Sequence, residues 1–356
     1  MAKINVVYAS FGQGHKKAAQ ALAQTLNVDS QDILDFSFPG IKSVYSFSYR
    51  FVTEYALFIW KALFYLVGKP RFSFFTDKIN SFLFLPFVKQ IRANRPDIVI
   101  TTHFFPAQVL AFLKKELNFK IITVITDLRV YPLWVNDSID HYWAATQITH
   151  DDLISYGVSE EKITTGYVPL RKGFLTVPPE ANLGEKFSLD DKPVMLIVSS
   201  SRGNIPFVEE IIEKLLEDYN VFLIYGSNKR LFKNLSKLSS ARLKLFGWYE
   251  DIWELVSLAS IIVTKPGGLT VFEGLYMKKF FIFTHYIPGQ EEGNMKALVS
   301  KGVARYAPDK EQFLAAVDWF FKMADTVKNS YALEVKDMNK VFVTKLNEVL
   351  ADGQNS

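Results

Sequence analysis

Cysteine is absent from the chain, and the commonest metal-binding motifs are missing with it. The absence of cysteine excludes a disulfide framework, thiolate metal ligands and a cysteine nucleophile. The five histidines are scattered without an HExxH pair, and no Asp-x-Asp motif is present to hold a metal-bound diphosphate. We therefore expect no metal and no cofactor.

Long apolar runs are also missing. The first ten residues lack the long apolar core and the cleavage site of a signal peptide. No window reaches the roughly 18 to 20 consecutive apolar residues that a spanning helix requires. The best candidate, 55–68, is short and contains Lys61. The sequence therefore predicts a protein that stays in the cytoplasm and does not span the membrane.

Two α/β domains account for the length and the rhythm of the chain. At 356 residues, the chain exceeds the size of about 250 to 300 residues at which single cores stop growing. Strands alternate with helices in both halves, which is typical of parallel sheets covered by helices. We predict two Rossmann-like domains facing a central cleft, at 1–170 and 193–328, with a linker at 171–192. A last helix, within 329–356, is long enough to pack back on the first domain.

A glycine turn follows the first strand and leads into an Ala-rich helix. Gly12 and Gly14 let a ligand approach the backbone, and His15 stands at the helix start, where the helix dipole favours a neutral imidazole. A neutral histidine beside a ligand suits a general base, although a lone histidine at a helix start more often faces solvent. His103 and Asp127 also follow strands, which predicts that they point into the same crevice. The alternative role for Asp127 is to cap a turn.

A second glycine turn, at 266–268, joins a strand to a helix in the second half. Backbone N–H groups at such a helix start bind phosphate. Lys265 precedes the turn, Thr270 and Glu273 lie in the helix, and a polar cluster at 290–294 follows the next strand. A bare Gly-Gly would be an ordinary connection, but this combination predicts a site for phosphate and hydroxyl groups.

Residues 36–95 differ in composition from the rest of the chain. They contain nine Lys or Arg against two acidic residues, and 17 of the chain's 53 aromatic residues. Helices that lie in an anionic membrane interface combine aromatic and basic residues in this way. The segment therefore predicts contact with anionic membrane lipids, while some of its apolar side chains suit a core. Nucleic acid is not expected, because the charge is too sparse and the apolar content too high.

Five motifs resemble those of the GT-B glycosyltransferases that include plant monogalactosyldiacylglycerol synthase and bacterial diacylglycerol glucosyltransferases, which are similar to glycosyltransferase family 28. The resemblance covers nearly the whole chain, and it is carried by 12–19, 126–134, 166–171, 264–270 with Glu273, and 288–294. The last two motifs are the most specific, because an unrelated glycine turn would not be followed by the same polar cluster at 288–294.

The resemblance implies inverting transfer of a hexose from UDP-glucose or UDP-galactose to 1,2-diacylglycerol, by a peripheral protein at the cytoplasmic face of the membrane. It implies that His15 deprotonates the acceptor hydroxyl and that His103, Asp127 and Trp134 lie on the acceptor side. The implied nucleotide-sugar site consists of Gly14, Ser200, Arg202, Gly226, Phe246, Gly247, Trp248, Lys265, Pro266, Gly267, Gly268, Leu269, Thr270, Glu273, Gln290, Glu291 and Asn294.

Each part of that site has an implied partner. The glycine turn with Thr270 would hold the diphosphate, and Glu273 would hold the ribose. Gln290 and Glu291 would hold the hexose, and 246–248 would line the base pocket. A donor held in this way needs no metal, because backbone N–H groups and the helix dipole stabilise the departing diphosphate.

Two positions depart from the family pattern. The family often has His where this chain has Tyr131, and the usually Gly-rich first turn of the second domain is here Ser-Ser-Ser-Arg-Gly at 199–203. The alternative functions are transfer to another lipid-linked or soluble acceptor, epimerisation of a UDP-sugar, and binding of a nucleotide sugar without catalysis.

Overall fold

The computed structural model divides into two compact units. The first consists of Met1–Arg171, Ile287–Gly293 and Val335–Ser356, and the second of Lys172–Tyr286 and Asn294–Glu334. The structure describes residues 2–55, 82–114, 116–166, 169–177, 180–199, 207–289, 291–329 and 339–351. The predictions for Ser200, Arg202 and Gln290, and for 56–81 of the aromatic and basic segment, lie outside these residues.

The first unit is built on a six-stranded parallel sheet in the order β2-β1-β3-β4-β5-β6. Its strands are β1 (Ile4–Tyr8), β2 (Ser30–Asp32), β3 (Ile98–Thr101), β4 (Lys120–Val124), β5 (His141–Ala144) and β6 (Ile163–Thr165). Its helices are α1 (Gln13–Leu26), α2 (Ile41–Tyr55), α3 (Leu85–Asn94), α4 (Phe104–Leu113), α5 (Gln147–Ser155) and, at the end of the chain, α14 (Asn339–Ala351). Short 3-10 turns occupy Ile33–Phe36, Pro132–Trp134 and Glu160–Lys162. β3 and β5 are buried along their whole length, as expected for parallel strands covered on both faces.

The second unit repeats this architecture with a parallel sheet in the order β12-β11-β10-β7-β8-β9. Its strands are β7 (Val194–Val198), β8 (Asn220–Ile224), β9 (Leu243–Phe246), β10 (Ala259–Thr264), β11 (Phe280–Phe283) and β12 (Ala304–Tyr306). Its helices are α6 (Lys172–Leu175), α7 (Glu180–Lys186), α8 (Val208–Asp218), α9 (Lys229–Leu235), α10 (Ile252–Leu258), α11 (Gly268–Tyr276), α12 (Glu292–Ser300) and α13 (Lys310–Asn329). Because both sheets are parallel and carry helices, the predicted α/β class is confirmed.

The segment predicted as a linker, 171–192, is more ordered than its proline and charge content indicated. It forms α6 and α7, and their apolar side chains Phe174 and Leu183 are buried in the second unit. Among the residues that the structure describes, no helix has both the length and the apolar content needed to cross a membrane.

A glycine brings α11 close to the second sheet. A Cβ atom at Gly274 would lie 2.4 Å from Cζ of Phe281 and 3.0 Å from Cδ1 of Ile262. Real Cβ atoms do not approach their neighbours so closely, so only glycine lets the helix pack at this distance. This packing fixes the start of α11 at the carboxyl edge of β10.

Helix α14 packs on the first sheet, as the predicted fold requires. Phe342 is fully buried, and its ring centroid lies 4.5 Å from that of Trp143 on β5. Leu346, one turn further along, is also buried. The ammonium group of Lys120 donates to the carbonyl oxygen of Val349 at 2.9 Å, which satisfies a carbonyl at the negative end of the helix.

We expect Phe342→Ala to destabilise the first unit by about 3 to 5 kcal/mol, because it removes a buried ring and leaves a cavity. Urea unfolding monitored by tryptophan fluorescence measures the change. Val343→Ala is the matched control, because Val343 lies next to Phe342 and is 36 % exposed. Equal losses of stability in the two variants would contradict this packing of α14.

The stability of the first unit should also depend on pH through His141. The side chain is buried, its Nε2 lies 2.8 Å from Oγ1 of Thr164, and burial, followed by the charge of Lys345, lowers the pKa of His141 to about 4. The unfolded chain binds a proton near its ordinary pKa of about 6.5, so stability is lost as the pH falls from about 6.5 towards 4. His141→Gln should reduce the slope of the unfolding free energy against pH in this range, and an unchanged slope would contradict the assignment.

Candidate active site

The carboxyl ends of three neighbouring strands of the first sheet bring His15 together with two threonines. His15 lies in the first turn of α1, after β1, while Thr102 and Thr126 follow β3 and β4. Nδ1 of His15 lies 2.9 Å from the carbonyl oxygen of Thr102 and 2.9 Å from Oγ1 of Thr126. A carbonyl oxygen only accepts, so Nδ1 carries the proton. The lone pair is therefore on Nε2, and this is the nitrogen that can take a proton from another group.

The backbone of His15 is fixed as well as its ring. Oγ1 of Thr102 donates to the carbonyl oxygen of His15 at 2.9 Å, and Oγ1 of Thr126 donates to the carbonyl oxygen of Thr102 at 3.3 Å. These bonds join the start of α1 to the ends of β3 and β4. A histidine whose ring nitrogen and backbone are both held in this way is preorganised, as a catalytic base needs to be.

His103 packs against His15 and stays neutral. Its ring lies 4.4 Å from that of His15 at an interplanar angle of 83°, and its Nδ1 accepts the N–H of Phe105 at the start of α4. The side chain is 2 % exposed. Burial, and secondly the positive charge that His15 acquires on protonation, hold the pKa of His103 well below its ordinary value. The predicted acceptor-side histidine therefore lines the site without adding a positive charge.

Trp134 and Tyr131 extend the aromatic surroundings of these histidines. The ring of Trp134 is fully buried, 6.3 Å from that of His15 and 6.2 Å from that of His103. In the part of the chain that the structure describes, its indole N–H has no hydrogen-bond acceptor. Tyr131, which replaces the family's histidine, donates its hydroxyl to Oδ2 of Asp127 at 3.3 Å. Asp127 is buried, and the departure at Tyr131 thus leaves its carboxylate with a hydrogen-bond donor.

The second glycine turn lies at the carboxyl end of β10, as the sequence predicts. Gly267 is the N-cap residue of α11, and as a glycine it has no side chain that could bond to the N–H groups of the first turn. Lys265, Gly268 and Thr270 are partly exposed, whereas Pro266, Leu269 and Glu273 are buried. The turn therefore combines backbone donors with a cation and a hydroxyl that solvent reaches.

Asn294 holds this turn in place. Its side chain is fully buried, and Nδ2 donates to the carbonyl oxygen of Pro266 at 3.1 Å. Asn294, which the sequence predicts as a ligand of the nucleotide sugar, thus connects α12 to the second glycine turn at 266–268, whose predicted ligand is phosphate.

A second group of predicted residues meets where β8 and β9 end. The N–H of Gly226, a residue with φ of +58°, donates to the carbonyl oxygen of Gly247 at 3.1 Å. Phe246 is partly buried among aromatic rings, while Trp248 is 61 % exposed. These residues form one edge of the second sheet and present an exposed indole there.

Glu254, whose role the sequence does not predict, carries a buried carboxylate that anchors this edge. Glu254 of α10 is 8 % exposed, and its Oε2 accepts from the ammonium group of Lys186 at 2.6 Å and from the hydroxyl of Tyr249. Burial opposes ionisation of Glu254, but the hydrogen bonds from Lys186 and Tyr249 outweigh it and lower the pKa of the carboxyl. Tyr249 follows Trp248 directly, so Glu254 fixes the loop that carries the predicted base pocket. No local signal connects these three positions in the sequence.

Glu291, one of the two predicted hexose ligands, belongs to a segment that packs with the first unit. In Ile287–Gly293, Glu291 is buried, and its Oε2 accepts the N–H of Ile287 at 2.9 Å. A Cβ atom at Gly293 would lie 3.1 Å from the side chain of Arg129, which explains the glycine in this motif. Among the described residues, no group of three or more His, Cys, Asp or Glu is placed to hold a metal ion.

Comparisons with known proteins find similar sequences along most of the chain. The monogalactosyldiacylglycerol (MGDG) synthase family model matches residues 15–169. A processive diacylglycerol β-glucosyltransferase of Bacillus cereus is 28 % identical over 337 residues, which cover 89 % of this chain and 84 % of that protein.

Two solved structures show the same fold at low sequence identity. MurG of Acinetobacter baumannii has a TM-score of 0.61 at 14 % identity, covering 98 % of this chain and 100 % of that one. UDP-GlcNAc 2-epimerase from Neisseria meningitidis, bound to UDP-GlcNAc, has a TM-score of 0.61 at 14 % identity, covering 97 % and 100 %. The comparisons thus confirm that the chain has a GT-B fold and that it resembles the monogalactosyldiacylglycerol synthases and diacylglycerol glucosyltransferases.

Proposed function

We propose that the protein is a hexosyltransferase that moves a hexose from UDP-glucose or UDP-galactose to 1,2-diacylglycerol. The observation that carries the proposal is the fixed ring of His15, whose Nδ1–H is held by Thr102 and Thr126 so that Nε2 is the basic nitrogen. The similarity to the Bacillus cereus enzyme, whose name specifies diacylglycerol as the acceptor, supports this choice of acceptor.

In this mechanism, Nε2 of His15 takes the proton of the acceptor hydroxyl while the oxygen attacks the anomeric carbon. The bond from that carbon to the diphosphate oxygen breaks, and UDP leaves with the bonding electrons. Attack opposite to the leaving group inverts the configuration. The protonated ring keeps its Nδ1–H bond to the Thr102 carbonyl, which stabilises the imidazolium that forms. The neutral state of His103 keeps a second positive charge away from it.

The donor half is proposed at the carboxyl edge of the second sheet. The N–H groups at the start of α11, with Thr270 and Lys265, would bind the diphosphate and stabilise its developing charge. Glu273 would bind the ribose hydroxyls, and Gly226 with 246–248 would line the base pocket. Gly14, Ser200, Arg202, Gln290 and Glu291 remain proposed contacts of the nucleotide sugar.

The tertiary role of Asn294 refines its proposed contribution. Since its amide already binds the Pro266 carbonyl, we assign it to positioning of the phosphate turn. His103, Asp127 and Trp134 are proposed to line the acceptor side, where the buried indole N–H of Trp134 offers a donor to an oxygen atom.

We expect His15→Ala to lower kcat by about 10²- to 10⁴-fold, the typical contribution of general base catalysis, and to leave the affinity for UDP unchanged. Turnover is measured as radioactive glycolipid formed from UDP-[¹⁴C]glucose or UDP-[¹⁴C]galactose and diacylglycerol, and affinity by calorimetric titration with UDP. His150→Ala is the control, because that histidine lies on α5 and bonds to Glu160. Wild-type turnover in His15→Ala would contradict the base assignment.

The same assay separates the proposal from its alternatives. Epimerised sugar nucleotide without labelled lipid would identify an epimerase, an activity named for one of the fold neighbours. Label in a polyprenyl-linked sugar and none in diacylglycerol would identify a different acceptor. Binding of UDP without any turnover would identify a non-catalytic protein.

Helix α2 supplies the proposed contact with the bilayer. Val44, Phe47 and Phe51, spaced by three and four residues, lie on one helical face and are 58 %, 67 % and 50 % exposed. The rings of Phe47 and Phe51 stack with their centroids 6.1 Å apart. An exposed aromatic face on an amphipathic helix is suited to a membrane interface. We propose that the protein is peripheral, at the cytoplasmic face, and that its basic residues contact anionic lipids.

We expect the double substitution Phe47→Ser and Phe51→Ser to weaken binding to diacylglycerol-containing vesicles at least tenfold, because burial of two aromatic rings in the interface is lost. Sedimentation with vesicles measures the binding. Val341→Ser with Val343→Ser removes two exposed apolar side chains from another helix of the same unit and is the control. Similar binding by the two double variants would rule out this role for α2.

A further inference from the structure

The second unit carries a positive surface that the net charge of the sequence conceals. We define the α9 surface as Lys229, Arg230, Phe232, Lys233 and Lys237, all of which are exposed. No acidic residue occurs from 229 to 249, a stretch that contains six Lys or Arg. The net charge of +4 for the whole chain does not show this surface, because acidic residues elsewhere in the chain offset these cations.

The packing of α9 holds these cations outward. Leu231 and Leu235, one turn apart, are each 2 % exposed and attach the inner face of the helix to the core. Lys229, Arg230 and Lys233 occupy outer positions of the helix, and Lys237 lies beyond its last residue. Because side chains three and four residues apart share a helical face, Lys229 and Lys233 lie side by side, as do Arg230 and Lys233.

Within the described part of the chain, the four cations of the α9 surface form no ion pair, unlike several other basic residues of the same unit. Lys186, Lys192 and Lys310 each pair with a carboxylate. Near α9, the carboxylate of Glu209 accepts instead from the amide of Asn234 at 2.7 Å. The positive charge of the α9 surface is thus not balanced by a bonded acid.

An aromatic ring is held among the cations. Phe232 is 42 % exposed, and its ring packs against that of Tyr225 with centroids 5.0 Å apart and an interplanar angle of 33°. α9 connects β8 to β9, the last strand of the sheet, so this surface lies at an edge of the unit. An apolar ring surrounded by unpaired cations matches an anionic lipid surface, which offers headgroup charge above an apolar layer.

We propose that the α9 surface docks the second unit on the anionic surface of a lipid bilayer. The choice of a bilayer over other polyanions rests on the proposed function, in which the acceptor is a membrane lipid. The side chains agree with this choice, because single-stranded nucleic acid is bound by several successive aromatic platforms, and the α9 surface has one ring. Docking of the second unit is separate from the apolar contact assigned to α2 in the first unit.

The test compares two triple variants of the full chain by sedimentation with vesicles of phosphatidylglycerol and phosphatidylcholine at low salt. Lys229→Ala, Arg230→Ala and Lys233→Ala together remove three cations of the α9 surface. Each cation near an anionic surface strengthens binding about fivefold, so we expect a loss of at least tenfold. The difference in binding between the variant and the wild type should disappear on pure phosphatidylcholine vesicles. It should also become smaller as salt is added, because salt screens the attraction between the cations and the anionic headgroups.

The matched control removes the same charge elsewhere in the second unit. Lys214, Lys301 and Lys322 are exposed on other helices or their ends, and their triple alanine variant should bind like the wild type. Equal binding by the two triple variants would overturn the proposal. So would an α9 variant that keeps its vesicle binding but loses binding to single-stranded DNA.

A second readout separates this inference from the proposed function. With diacylglycerol in neutral detergent micelles there is no anionic surface, so the α9 variant should transfer hexose within twofold of the wild-type rate. Vesicle binding is measured without any sugar nucleotide. A wild type that forms no glycolipid, together with loss of vesicle binding in the α9 variant, would refute the proposed function and support the docking surface.

Discussion

The hydrogen bond from Nδ1 of His15 to the carbonyl oxygen of Thr102 is the interaction on which the proposed chemistry depends. The carbonyl oxygen cannot donate a hydrogen bond, so this one hydrogen bond of 2.9 Å selects the tautomer of His15 and places the lone pair on Nε2. Thr126 and the backbone bond from Thr102 support the same ring. This arrangement requires three adjacent parallel strands, because each strand end supplies one partner. The sheet order β1-β3-β4 is therefore part of the site.

The two units use the same architecture for different chemistry. In the first, buried aromatic residues surround His15 and His103, of which His103 is kept neutral by burial, an environment suited to proton transfer from a hydroxyl. In the second, the sheet edge presents the start of α11, whose N-cap residue is a glycine, and a loop anchored by Glu254, an environment suited to phosphate and a base. We propose that the exposed apolar residues on α2 and the cations on α9 give each unit its own contact with a bilayer. In this proposal, donor binding, proton transfer and membrane contact rest on separate groups of residues.

Local pattern was enough to predict the elements that carry the site. The sequence predicts a strand at 280–283, which is β11. It also predicts a helix from 269, and the observed helix α11 begins one residue earlier. Periodicity, glycine turns and strand ends are local, so they can be read from one sequence. The sequence predicts the next helix of the first unit from Pro106, whereas α4 begins at Phe104 because the ring of His103 caps it.

Contacts between distant residues could not be predicted in this way. The sequence predicts that His15 and His103 point into the same crevice, but it does not predict which nitrogen of His15 is bound. Glu254 reaches Lys186 across 68 positions, and Phe174 turns part of the predicted linker into a packed helix. The anomeric configuration of the product tests the central claim most directly. The proton NMR spectrum of the purified glycolipid should show a β-linked hexose on diacylglycerol, as inversion with His15 as base requires. An α-linked product, or epimerised sugar nucleotide with no glycolipid, would contradict it.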